Sequence, residues 1–283
     1  MKRKIFLAAA VILLVGSVAG LNYMWLDRNF SAPDHYFGGL PQPPARKPGP
    51  VESAYNRKEG WGFVKSRNGQ TPEITAHQKN MVQKYQALFV GDVTKKQVVL
   101  TFDMGYEKEG ATPRILETLD RYKVKAAFFT TAHWIRTNPD LARRVVAEGH
   151  IFGNHTYAHK SLPTLNDGQV KDEILKWEEV AKEHTGTAAV HKFMRPPMGE
   201  YSEKTLKITR ELGYTTAFWS IAMKDWLPMG GPQEAVKGVV NYLHNGAVVL
   251  LHGNSMDVVE GLDGIIKGIK GKGYTIVPLD KIR

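Results

Sequence analysis

The stretch Val98-Val99-Leu100-Thr101-Phe102-Asp103-Met104-Gly105-Tyr106-Glu107 decides how the rest of the chain is read. An apolar, β-branched run of strand length ends in an acidic residue, and Gly105 then permits a turn. Beyond it, Ile115, Leu116, Leu119 and Tyr122 recur at helical spacing, with Thr112 expected as N-cap and Pro113 at the first helical position. Parallel α/β enzymes usually present a catalytic group on a buried strand that delivers one carboxylate to its C-terminal end. Asp103 could equally cap the turn that follows, and only the other strand ends discriminate between the two roles.

Downstream the chain alternates strand and helix. Strands are expected at 126–131, 150–154, 193–195, 215–221, 247–251 and 274–277, and helices at 138–148, 168–184, 202–212, from 232 through 243, and 257–272. With the strand ending at Asp103 this makes about seven strands separated by helices, which predicts an α/β fold with a parallel sheet, open or closed into a barrel. Upstream, residues 75–89 show helical spacing at Met81, Val82, Tyr85, Leu88 and Phe89. The apolar island Trp61-Gly62-Phe63 either packs back onto the domain or contacts a ligand.

The chain has 283 residues, a formal charge of +10 and no cysteine. Disulfides, thiolate metal sites and a cysteine nucleophile are therefore excluded, and any metal must sit on His, Asp or Glu. The positive charge suits an anionic wall or membrane surface. Nucleic acid is not expected, because basic runs and RNA-binding aromatic motifs are missing. Met1-Lys2-Arg3-Lys4 followed by the apolar run Ile5 to Leu26 reads as an export segment. Ser17-Val18-Ala19 would suit cleavage, whereas the length of the run favours a retained membrane anchor. The domain plan is then 1–26 signal or anchor, 27–60 proline-rich linker, 61–96 an extension packing on the barrel, and 97–283 the catalytic domain.

Four further strand ends carry polar constellations. His155 and His159 follow the 150–154 strand, spaced to face one metal ion from the same side or to serve as plain loop histidines. Arg195-Pro196-Pro197-Met198-Gly199 places a guanidinium fork on a rigid extended segment, for a structural ion pair or to orient an acid. Asp225-Trp226 follows the 215–221 strand, its tryptophan either core or a sugar-stacking wall. His252 follows Val248-Val249-Leu250-Leu251 and is placed to give or take a proton. Five such strand ends make one site.

The ordered set Thr101-Phe102-Asp103, His155-Thr156-x-x-His159, Arg195-Pro196-Pro197, Asp225-Trp226 and Leu251-His252 resembles the polysaccharide deacetylases of the NodB-homology type, carbohydrate esterase family 4. Within that family the chain looks most like the muramic δ-lactam-forming de-N-acetylases of spore-forming Gram-positive bacteria. That likeness extends to Trp61-Gly62-Phe63, Asn68, Tyr85, Gly105-Tyr106-Glu107 and Phe218-Trp219-Ser220. The resemblance implies a distorted parallel (β/α) barrel and removal of N-acetyl groups from peptidoglycan amino sugars, with glycan strands as partner. It implies a divalent metal, zinc by expectation, on His155 and His159. Asp103 is then the base, oriented by Arg195, and His252 the acid, set by Asp225. Tyr106, Trp226, Met198 and Gly199 line the substrate, the Met198 position through its backbone N–H. One position departs from the pattern: Met104 stands where most of the family has a metal-binding aspartate, and a thioether is a poor ligand for a hard ion. The alternatives are an N-acetylglucosamine or chitin-oligomer deacetylase, and a wall-binding pseudoenzyme that keeps the cleft without the chemistry.

Overall fold

The strand β2, Gln97–Met104, is buried along nearly its whole length, and its side chains divide between two cores. Val98, Leu100, Phe102 and Met104 join the large cluster beneath the helices, while Val99 belongs to a second cluster inside the sheet's curl. Alternation along the strand puts Thr101 and Asp103 on the same side as Val99. A strand covered on both faces needs an unbroken apolar run, which is the pattern in the sequence. The computed structural model describes residues 54–65, 68–186 and 191–283.

Around β2 lie β3 (Ala127–Thr130), β4 (Ile151–Asn154), β5 (Phe193–Met194), β7 (Thr215–Thr216), β8 (Ala247–His252) and β9 (Thr275–Ile276). They form a seven-stranded parallel sheet in the order β7-β5-β4-β3-β2-β8, with β9 beside the start of β2. The remaining strands, β1 (Glu59–Gly60) and β6 (Glu200–Tyr201), make a separate antiparallel pair. The sheet curls into a distorted half-barrel, in agreement with the expected α/β class and strand number.

No ladder joins β7 directly to β8, and irregular chain fills the seam. Leu88 N–H donates to Thr216 O and Phe218 N–H to Leu88 O, while Ile221 bridges Val249. The predicted 215–221 strand is therefore two short pairings, one to each side of this seam. Trp61 stacks on Phe218 with ring centroids 4.0 Å apart and donates Nε1–H to Trp219 O, so the island before the barrel is packing.

The helices are Ala76–Tyr85 (α1), Ala111–Arg121 (α2), Ala132–Thr137 (α3), Pro139–Ala147 (α4), Asp167–Thr185 (α5), Glu203–Glu211 (α6), Pro232–Val240 (α7) and Met256–Gly271 (α8). Capping boxes at Thr75, Asn166 and Ser202 start α1, α5 and α6. One expectation fails locally: Thr112 is not the N-cap of α2. Gly110 occupies that place, and the Glu107 carboxylate takes both the Thr112 N–H and hydroxyl. A side chain from the preceding loop thus does the capping, and Pro113 falls at the third helical position, two later than expected. The helix α3 was not expected, because its six residues are too few for a periodic signal.

Among the described residues no helix is long and apolar enough to cross a membrane. The expected anchor at 1–26, and the linker as far as 53, lie outside the described residues.

Candidate active site

Parallel strands end together, so their last residues gather at one mouth. Register places Asp103 opposite His252 on β8 and opposite Phe129 on β3, and Met104 opposite Thr130. Arg195 N–H then donates to Asn154 O, which carries β5 past the end of β4.

Arg195 is wholly buried and each branch of its guanidinium is engaged. Nη1 donates to Asp103 Oδ1 at 2.7 Å, Nε to Ala217 O at 3.1 Å and Nη2 to Phe218 O at 3.4 Å. Its plane lies over Phe129, 4.2 Å from the ring centre. Burial alone would raise the Asp103 pKa. The Arg195 charge, followed by His155 and His252, outweighs burial and holds the carboxyl below the usual range. Asp103 is thus an ionised carboxylate rather than a turn cap.

The Arg195 carbonyl accepts Nδ1–H of His155 at 2.8 Å, which leaves Nε2 as the lone-pair nitrogen, 3.6 Å from Asp103 Oδ2. Burial pushes the His155 pKa down, with Asp103 only partly offsetting it. The His159 ring stands 4.9 Å from that of His155. His159 keeps much of its surface open to the cleft, yet the enclosing walls and then His155 push its pKa down to about 4. Both imidazoles are neutral at pH 7, the form that ligates a metal.

The two facing neutral imidazoles fit a divalent ion of the zinc type held by His155 and His159, with its other positions left to water or substrate. Among the described residues no group of three His, Asp or Glu is arranged as a metal set. Met104 adds nothing to the donors. It is buried in the helix-facing core, and its sulfur fills the space where a Cβ on Gly253 would stand.

Across the mouth, Asp225 grips His252 twice: Oδ2 accepts the backbone N–H at 2.8 Å and Oδ1 accepts Nδ1–H at 2.7 Å. Burial lowers the His252 pKa, but the bond and charge of Asp225, joined by Asp103, outweigh it and raise the pKa above its ordinary value. Asp225 thus engages Nδ1 and leaves Nε2 as the other ring nitrogen. Trp226 is 56% exposed and meets the His252 ring edge-on at 5.3 Å. Tyr106 and Met198 are likewise exposed. Gly199 is buried, and a Cβ built there would stand against Trp219 and Trp61.

Two residues that sequence reading passed over support the site. Asn154 Oδ1 accepts Thr156 N–H at 2.8 Å while its Nδ2 donates to Ile174 O. Glu173 Oε2 accepts Ala158 N–H at 2.7 Å. A signal for Glu173 existed: an acid in line with Val170, Ile174 and Trp177 on the buried stripe of α5.

The description "Polysaccharide deacetylase" matches residues 90–217 of this chain. The peptidoglycan-N-acetylmuramic acid deacetylase PdaA of Bacillus subtilis is 38% identical over 82% of this chain and 88% of its own. A peptidoglycan-N-acetylglucosamine deacetylase of Bacillus cereus is 36% identical over 70% of this chain and 72% of its own. The solved structure of B. subtilis PdaA, described as a family 4 carbohydrate esterase, superimposes with a TM-score of 0.77 over 80% of this chain and 97% of that one.

Proposed function

The chain belongs to the polysaccharide deacetylases of carbohydrate esterase family 4, and from that premise we propose that it hydrolyses the N-acetyl group of N-acetylmuramic acid in peptidoglycan. The observation that carries the reading is the division of labour across one mouth. The Asp103 pKa is held down by Arg195, and the His252 pKa is held up by Asp225. A base and an acid with opposed pKa shifts are what amide hydrolysis needs, because the amine is a poor leaving group until it is protonated.

Asp103 accepts a proton from water as the water oxygen bonds to the acetamide carbon. The oxyanion that forms is met by the backbone N–H of Met198, on the turn after the double proline. His252 then gives its Nε2 proton to the amine nitrogen, the C–N bond breaks, and acetate and a free amino sugar leave. A divalent ion on His155 and His159 supplies Lewis-acid polarisation of the carbonyl when bound. Trp226 and Tyr106 form the wall against which a sugar ring packs. The segment Met1 to Leu26 serves as export signal or anchor, which puts the domain on the outer side of the membrane, where the wall lies.

The likeness to an N-acetylglucosamine deacetylase supports a second reading of the substrate. Acetate release separates the two. Glycan strands containing muramic acid and stripped of peptide are expected to be cleaved faster than chitin oligomers. Faster release from chitin oligomers establishes the glucosamine reading, and release from neither glycan establishes the pseudoenzyme.

A further inference from the structure

The turn carrying the two histidines is held more completely than a surface loop. His155 N–H donates to Thr130 O, Thr156 N–H to Asn154 Oδ1 and Tyr157 N–H to Glu173 O. Ala158 N–H then donates to Glu173 Oε2 and His159 N–H to Thr156 Oγ1. Every backbone donor from 155 to 159 is thus accounted for, and two of the five go to one residue outside the turn. The turn needs that hold, because Thr156 and His159 stand at φ 70° and 55°, the left-handed region that residues with a Cβ disfavour.

Glu173 has no reason to be acidic for the sake of its own helix. It is 6% exposed, on the stripe where Val170, Ile174 and Trp177 pack. An apolar side chain would suit that stripe better, since a buried carboxylate is costly unless it is bonded. Its bond goes to the amide between the two imidazoles, at 2.7 Å.

We propose that Glu173 is a positioning residue of this site, clamping the Ala158 amide so that His155 and His159 are held ready for one divalent ion. The inference rests on the assignment of those histidines as metal ligands. It places a determinant of metal affinity on α5, outside all the strand-end motifs.

The test compares full-length wild type with Glu173→Ala, Glu173→Gln and Glu173→Leu. The readouts are the Zn2+ dissociation constant, by competition with a chromogenic chelator, and kcat and KM for acetate release from peptide-free muramic glycan. Removing the acceptor is expected to weaken Zn2+ binding by about 10- to 100-fold. It should lower kcat with KM nearly unchanged. Glu173→Gln, whose amide oxygen can accept the same N–H, is expected to recover both to within about threefold of wild type. Glu173→Leu suits the apolar stripe and carries the test if the alanine variant does not fold. It should show the same loss at an unchanged or raised melting temperature. A folded alanine or leucine variant with wild-type Zn2+ affinity overturns the proposal, as does a folded glutamine variant no better than alanine. A wild type that binds Zn2+ but frees no acetate removes the proposed reaction and leaves the Zn2+ comparison to decide on Glu173. A wild type without Zn2+ affinity overturns the clamp together with the metal assignment.

Discussion

Arg195 Nη1 donates to Asp103 Oδ1 at 2.7 Å across 92 positions of sequence, with the guanidinium sealed from solvent. Through its carbonyl, the same residue also sets the tautomer of His155. One arginine therefore fixes the Asp103 carboxylate and one of the two imidazoles.

Replacing that arginine tests the pairing. Arg195→Met leaves a buried carboxylate without its counter-charge, which is expected to cost about 3–5 kcal/mol in urea unfolding. With the Arg195 charge gone, burial is opposed only by the histidines, so the Asp103 pKa rises. The acid limb of kcat/KM should move to higher pH. An unfolding midpoint and acid limb equal to wild type would show that Asp103 is ionised by something else.

The alkaline limb belongs to His252. Its pKa is raised, chiefly by Asp225 working against burial, and the proposed reaction uses its protonated form. Activity should be full below that raised pKa and fall as pH rises through it. Asp225→Asn removes the main raising influence, so the limb is expected to move to lower pH. At pH 8 kcat should drop by about 10²-fold, the range of a lost general acid. An unmoved limb in the pH–rate profile would dismiss His252 as the acid.

Met104 is core packing by its contacts. Met104→Leu keeps volume and apolarity and should cost less than about 1.5 kcal/mol in thermal unfolding. Zn2+ affinity should be unaltered. A marked weakening on titration would mean that the thioether takes part in binding after all.

Met198 and Gly199 are expected to respond in opposite ways. The Met198 side chain is 58% exposed and the proposed reaction draws on its backbone N–H alone, so Met198→Ala should change kcat little. Gly199 has φ +65°, and a Cβ there would stand 2.7 Å from Trp219 Cη2. Gly199→Ala should cost at least about 1–2 kcal/mol from the left-handed backbone alone. Its turn should shift and kcat should fall. Steady-state kinetics beside thermal unfolding of both variants distinguishes backbone from side-chain use.

Trp226 offers a ring face at the mouth while its edge meets His252. Trp226→Ala should raise KM about five- to tenfold, for a contact worth about 1 kcal/mol. A larger loss in kcat than in KM would instead make it part of the acid's setting.

Much of this was legible in the residues. The β-branched run to Asp103, the strand–helix alternation and the five polar strand ends prescribed a parallel α/β sheet with one site at its strand ends, because parallel strands finish side by side whatever their connections. Capping boxes at Asn166 and Ser202 start their helices through local bonds between neighbours in sequence. Thr112 misled for the complementary reason, since its donors are taken by Glu107 from the preceding loop.

The sequence by itself determined the sheet's class, the side of it on which chemistry sits and the residue types available there. Those follow from periodicity and spacing, which are local. Only the tertiary structure decided that Arg195 reaches Asp103 rather than another acid, that Asp225 holds Nδ1 of His252, that Met104 faces the helices, and that Glu173 reaches the histidine turn from α5. Each is a contact between residues remote in sequence or a side chain assigned to one face, and the curl of the sheet and the packing of the helices set these, not the spacing of letters.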